Sequence, residues 1–247
     1  QLPSYLILGY AEGGQRVNQP DARYLRCDQA VLGIRYDWTD KNTTLGLEGF
    51  AKGYDGAPVS LTSGIALANL GADFGVVGNE AVRFDGVGRA YGMEFLAQRR
   101  LYKGVYGLLA YTYVRSEYEF NGEFTPSAWD SRHIVSLTGG AKLKRDWEIG
   151  VRWLYSGGLP FTPYDLDVSL DQAYWDANNV AQLDYAQLNS GRNDAFSQLD
   201  LRIDKKWFFE TSTSSWTCRT SSVRLPTLRM HLMSCGIRPR GYLWSIR

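Results

Sequence analysis

Apolar and polar positions alternate with a period of two through most of the 247-residue chain. In the segment 31–38, Leu32, Ile34, Tyr36 and Trp38 share one parity, and Gly33, Arg35 and Asp37 share the other. Trp147, Ile149, Val151, Trp153 and Tyr155 oppose Glu148, Gly150 and Arg152 in the same way, as Leu199, Leu201 and Ile203 oppose Asp200, Arg202 and Asp204. Successive side chains of a strand point to opposite faces, so each segment reads as a strand with one apolar and one charged face. The pattern predicts about eight strands, at 5–10, 31–38, 44–54, 89–101, 105–118, 132–143, 147–156 and 198–209.

The connections separate two folds that alternation alone does not. "TDKNT", "YKG" and "KLKRDW" predict tight turns, whereas 11–30, 55–88, 119–131 and 157–197 are long and rich in Gly, Pro, Asn and Asp. Short and long connections therefore alternate, which puts the long loops at one end of an up-and-down sheet. That is the form of a transmembrane β-barrel, with short turns on one side of the membrane and long loops on the other. A soluble β-sandwich shows the same alternation with its apolar face turned inward, and stands as the alternative. Tilted membrane strands need about 9–11 residues, as the better-defined segments have. In the barrel the aromatic parity faces lipid, because Arg152 or Arg202 there would cost about 2–4 kcal/mol each near the midplane. Tyr36, Trp38, Trp147, Tyr155 and Trp207 then fall in the interfacial girdles.

Composition agrees with a turn-rich β protein: 26 Gly, 16 Tyr and 8 Trp accompany only 3 Met and 2 His. A formal net charge of +1 gives no basic face for nucleic acid. Cys27, Cys218 and Cys235 form neither a metal spacing nor an even disulfide set. The chain opens "QLPSYLILGY", without Met, basic stretch or cleavage site, and reads as a piece of a longer protein.

Candidate chemistry is sparse. Asp165, Asp167 and Asp171 crowd one loop, but the run lacks the Gly turn and terminal Glu of a calcium loop. His133 and His231 have no Ser or Cys partner in a nucleophilic motif, and His133 reads as a polar residue entering a strand near the barrel mouth. Asp200 and Asp204, with Arg202 between them, suit a wet lumen. The expectation is no catalytic residue, no metal and no cofactor, in a protein that is not an enzyme. Ligand contacts are expected from loop aromatics, with Trp129, Phe161, Tyr164, Tyr174 and Trp175 as candidates.

The segment 88–120, with Gly92 and Glu94, is followed by Trp129-Asp130-Ser131-Arg132-His133 leading into a strand. Next come Gly157 through Pro160 to Pro163, and then Leu188-Asn189 and Arg192 before another strand. This ordered set, over roughly residues 30–210, resembles the C-terminal barrel of TonB-dependent outer-membrane receptors. The resemblance implies an antiparallel, all-β transmembrane barrel in the bacterial outer membrane, present here as a partial barrel. It further implies binding of a scarce small molecule or oligosaccharide (siderophore, vitamin or glycan class) at loops and plug, with uptake driven by the TonB complex through a plug segment this chain does not carry. The alternatives are a passive porin-like barrel and a soluble carbohydrate-binding β-sandwich.

Composition shifts after Glu210. Residues 211–247 hold six Arg and no Lys, Asp or Glu. Shifting the frame by one nucleotide permits "LDVQNVFG" from Trp216 onward, with the Asp forced by the Trp216-Thr217 codons. The expected division is therefore a receptor barrel over 1–210 and an out-of-frame, poorly ordered tail over 211–247, with strand character only around Ser214 to Thr217.

Overall fold

The computed structural model describes residues 2–70, 79–207, 214–220 and 234–239, with side chains as far as residue 205. One antiparallel sheet dominates it. Its strands are β3 (Arg26–Trp38), β4 (Thr43–Ser60), β5 (Val82–Tyr102), β6 (Val105–Phe120), β7 (Glu123–Pro126), β8 (Arg132–Lys142), β9 (Trp147–Ser156), β12 (Phe196–Trp207), β13 (Ser214–Thr220) and β14 (Ser234–Pro239). Neighbours follow chain order from β3 to β14, with β7 as a side branch on β6. The sheet is open, and β3 and β14 form its edges. Two small ribbons lie outside it, β1 (Ala11–Glu12) with β2 (Gln15–Arg16), and β10 (Pro160–Phe161) with β11 (Gly191–Arg192). The helices are α1 (Tyr5–Gly9), α2 (Leu166–Ser169) and α3 (Gln172–Asn178).

Seven of the eight expected strands are present, most of them extended toward the loop end. The expectation of a strand at 5–10 is wrong: Tyr5–Gly9 is a helix. Its run of apolar residues has no clear period of two, and only Ile7 is buried, against Leu67, Val82 and Phe84. The region 119–131, expected as a loop, is largely a hairpin. Asn121 and Gly122 take φ of 53° and 81°, the two positive values that a tight turn matching strand twist requires, so β6 returns directly as β7. Lys103 and Gly104 make the same kind of turn between β5 and β6. In the tail, β13 pairs with β12 and β14 with β13. Left unpaired, that edge of β12 would be a row of free backbone donors and acceptors, a template for an extended segment, and β13 occupies it. The rest of 208–247 lies outside the described residues.

Register carries the two parities across the middle of the sheet, with shifts only toward strand ends, at Asp55–Pro58 of β4 and between Arg99 and Tyr102 of β5. Ile34 sits opposite Leu47, Leu47 opposite Phe95, Phe95 opposite Tyr111 and Tyr111 opposite Val135. Val135 then opposes Tyr155, which opposes Ser197. Val151 and Leu201 continue the same face, while Asp200 opposes Arg152 on the other. On that second face Tyr106 donates its hydroxyl proton to Glu148 at 2.9 Å, and Arg202 pairs with Asp204 at 2.5 Å. Tyr106 lies across Gly140, where a Cβ would come within 2.6 Å of its hydroxyl.

The aromatic and aliphatic face has nothing packed on it. Leu32 is 84% exposed and Ile34 72%, and no mid-strand residue of that face belongs to the buried core. The buried apolar residues instead gather at the loop end, as one cluster around Ile7, Leu67, Val82 and Phe84 and another around Ala57, Val59, Ala66 and Tyr118. A sandwich would bury the face that is bare here, so the architecture is a partial barrel with a lipid-facing exterior. Arg introduced at Val151, mid-strand on that exterior, is expected to cost about 2–4 kcal/mol in lipid, and Arg at Thr138 on the opposite face far less. Reversible unfolding of the full protein in bilayers measures both, and equal costs would contradict the assignment of faces.

Candidate functional site

At the loop end, four chain segments converge on two buried carboxylates. Asp130, fully buried, follows β7 in the turn 127–131. Its Oδ1 accepts the Ser116 amide at 2.9 Å and faces Arg115 Nε at 3.3 Å. Its Oδ2 pairs with Arg192, and Arg132 Nε lies 3.7 Å away. A second nitrogen of Arg192 donates to the carbonyls of Asp130 (2.7 Å) and Gly158 (2.9 Å). Arg115 also donates to Glu117 at 2.6 Å, and Glu117 accepts Arg89 at 2.7 Å. The Arg89 guanidinium lies 4.0 Å from the centroid of the Phe124 ring.

Local sequence explains how the loops approach so closely. A Cβ at Gly157 would collide with the Ser131 carbonyl, and one at Gly158 with the Asn193 carbonyl, so this stretch tolerates only glycine. Asn189 closes the other side. Its amide nitrogen donates to Asn69 O at 2.9 Å and Pro126 O at 2.8 Å, and its backbone N–H donates to Thr162 Oγ1 at 3.1 Å. Four segments, 61–70, 123–131, 157–163 and 188–193, are thereby held as one unit. Asn18 does the same for the N-terminal loop, donating to Ile7 O and Glu80 O at 2.8 Å each and accepting from Val82 N at 2.9 Å.

The five aromatics expected to touch ligand fall into two groups. Trp129, 68% exposed, and half-buried Phe161 sit beside the Asp130 network, Phe161 through the pairing of β10 with Arg192 and Gly191. Tyr164 (59% exposed), Tyr174 and Trp175 (47% exposed) belong to a separate lobe over 163–184. Gln182 organises that lobe, accepting the Tyr174 hydroxyl at 2.7 Å and donating its amide N–H to Ser169 Oγ at 2.9 Å. The crowded aspartates there are helix caps: Asp165 accepts Val168 N and Asp171 accepts Tyr174 N. No group of three or more potential metal ligands occurs among the described residues. His133 stands at the start of β8, hydrogen-bonded to the Tyr111 hydroxyl at 2.9 Å.

Tyr118, toward the loop end of β6, stacks on Tyr54 with centroids 5.9 Å apart. Burial, reinforced by Tyr54 and Cys27, pushes its phenol up to about 12.

No protein-family model matches the chain, and no curated protein matches it in sequence. Solved structures do. The ferripyoverdine receptor of the Pseudomonas aeruginosa outer membrane, bound to ferripyoverdine, aligns with 81% of this chain and 23% of its own at 15% identity and a TM-score of 0.55. The ferric-catecholate import receptor Fiu of E. coli K12 aligns with 85% of this chain and 25% of its own at 12% identity and a TM-score of 0.54. The P. aeruginosa pyoverdine receptor FpvA, bound to pyoverdine, aligns with 86% and 27% at 14% identity and 0.53. The fold is thus a stretch of transmembrane β-barrel. More particularly, it is the fold of part of the barrel of the outer-membrane receptors it aligns with, and the chain spans about a quarter of their length.

Two outcomes are expected. Asp130→Asn removes the charge that three guanidiniums share, at a local cost of about 3 kcal/mol or more. Hydrogen exchange should then quicken at 157–163 and 188–193 while β6 to β9 keep their protection. Because the phenol of Tyr118 titrates above its ordinary value of about 10, its contribution to stability is complete below pH of about 10 and lost as pH rises toward about 12. Alkaline unfolding of Tyr118→Phe should lack that loss.

Proposed function

We propose that this chain is part of an outer-membrane receptor that takes up a scarce ligand of the siderophore, vitamin or oligosaccharide class, energised by TonB through a plug. The observation that carries the reading is the pairing of a bare, lipid-suited strand face with long loops gathered and locked at one end of the sheet. The ligands of the matched receptors, ferripyoverdine among them, favour an iron chelate within that range. Trp129, Phe161, Tyr164, Tyr174 and Trp175 are the proposed ligand contacts, offering amphipathic rings at the loop surface. The protein's role is reception and transport rather than catalysis. The tail after Glu210 is read as out of frame, and resequencing of the coding DNA tests that independently.

The native full-length protein should fractionate with outer membranes, need detergent for extraction, and support uptake of a labelled ferric siderophore that stops when the inner-membrane proton gradient is collapsed. Recovery in the aqueous fraction would sink the membrane reading, and gradient-independent uptake would make the protein a passive barrel. Trp129→Ala and Trp175→Ala should each weaken ligand binding by about threefold to tenfold.

A further inference from the structure

A cavity of about 430 Å³ lies between the β6–β7 hairpin and residues 186–192. Its lining includes the rings of Phe120 and Phe124, two guanidiniums, Arg132 and Arg192, and one carboxylate, Glu123. The two arginines are in different states. Arg192 is committed, bonded to Asp130 and to two backbone carbonyls. Arg132 is not. Its Nε is buried without a hydrogen-bond partner, its ion pair with Asp130 is long at 3.7 Å, and its side chain is 42% exposed.

The charge balance explains why Arg132 is left over. Asp130 and Glu117 are shared among Arg89, Arg115, Arg132 and Arg192. Both oxygens of Asp130 already have closer partners, in Arg115, Arg192 and the Ser116 amide. Arg132 also holds φ of 61°, a left-handed conformation that costs a non-glycine residue of order 1–2 kcal/mol. A Gly or Asn would sit there more easily, so the backbone alone gives no reason for arginine.

We propose that this cavity binds a carboxylate-bearing small molecule on the Arg132 guanidinium. One free guanidinium presents a planar fork that matches a single carboxylate, whereas a doubly charged phosphate calls for more than one uncommitted cation. The inference deepens the receptor reading, on which it rests, by naming the ligand's charge and the residue that reads it.

The test uses the full receptor chain in detergent, with benzoate, a monocarboxylate whose ring suits the Phe120 and Phe124 lining, as probe and titration calorimetry at constant ionic strength. Benzoate should bind saturably. Arg132→Asn, which suits the left-handed backbone and removes the guanidinium, should weaken binding by about tenfold or more. Arg132→Lys should lie between, and Arg83→Asn, which lowers net charge equally at an exposed pair away from the cavity, should leave affinity unchanged. Inorganic phosphate should bind more weakly than benzoate. Absence of saturable binding by the folded wild type, equal binding by Arg132→Asn, an equal loss in Arg83→Asn, or equal affinity for phosphate would each overturn the proposal. Such a failure in a protein still extracted from outer membranes removes the subsite and leaves the receptor reading standing. Recovery in the aqueous fraction removes the receptor reading itself.

Discussion

A strand face of Leu, Ile, Val, Tyr and Trp with nothing packed against it persists only where the surrounding medium is itself apolar. In water the exposed side chains of β3 alone, from Leu32 to Trp38, would drive association with any available apolar surface. In lipid the same face costs nothing, but a second constraint appears, because backbone N–H and C=O groups find no water and must pair within the sheet. The continuous mid-strand pairing from β3 to β12 meets that demand, with register shifts only toward strand ends. Chain reversals are therefore confined to the two ends. The short turns close one end with residues in left-handed conformations, and the long connections carry everything else.

Those long connections have no apolar core large enough to hold them. They use buried polar groups instead, and each must be satisfied where it sits. Asp130 and Asn189 act as hubs because each offers several hydrogen-bonding sites to backbone and side chains of different loops. Glycine at 157 and 158 allows the backbones to come close enough for Arg192 to reach Asp130 and the Gly158 carbonyl together. The outcome is a rigid loop platform at the end of the sheet from which Trp129 projects into solvent.

Much of the barrel was legible in the chain because its two causes, alternation and connection length, are local. Ile149-Gly150-Val151-Arg152-Trp153 declares its two faces within five residues. The hairpin at Asn121-Gly122 is equally local, but the polar residues around that turn fit a loop as well as they fit two short strands. The segment 5–10 failed for the opposite reason: a short apolar run fits helix and strand alike, and its burial against residues 67–84 decided the matter. The aspartates at 165 and 171 read in the sequence as a crowded loop without calcium-loop features and are caps, a role that becomes visible only once α2 and α3 exist. Asp130 was hidden most deeply. Nothing in Trp129-Asp130-Ser131-Arg132 says that Arg115 and Arg192, on other elements, will meet its carboxylate.

The same hub accounts for an asymmetry among its arginines. A carboxylate has room for a limited number of donors, and Asp130 is filled by the Ser116 amide, Arg115 and Arg192 before Arg132 arrives. Arg132 helps to neutralise the buried charge from a distance while its guanidinium stays open to the neighbouring cavity. A network that only had to hold loops together would be complete with three donors. The fourth guanidinium, on a backbone that disfavours it, adds positive charge at the surface of a platform already rigid, and rigid placement is what makes a single charge selective for the anion that approaches it.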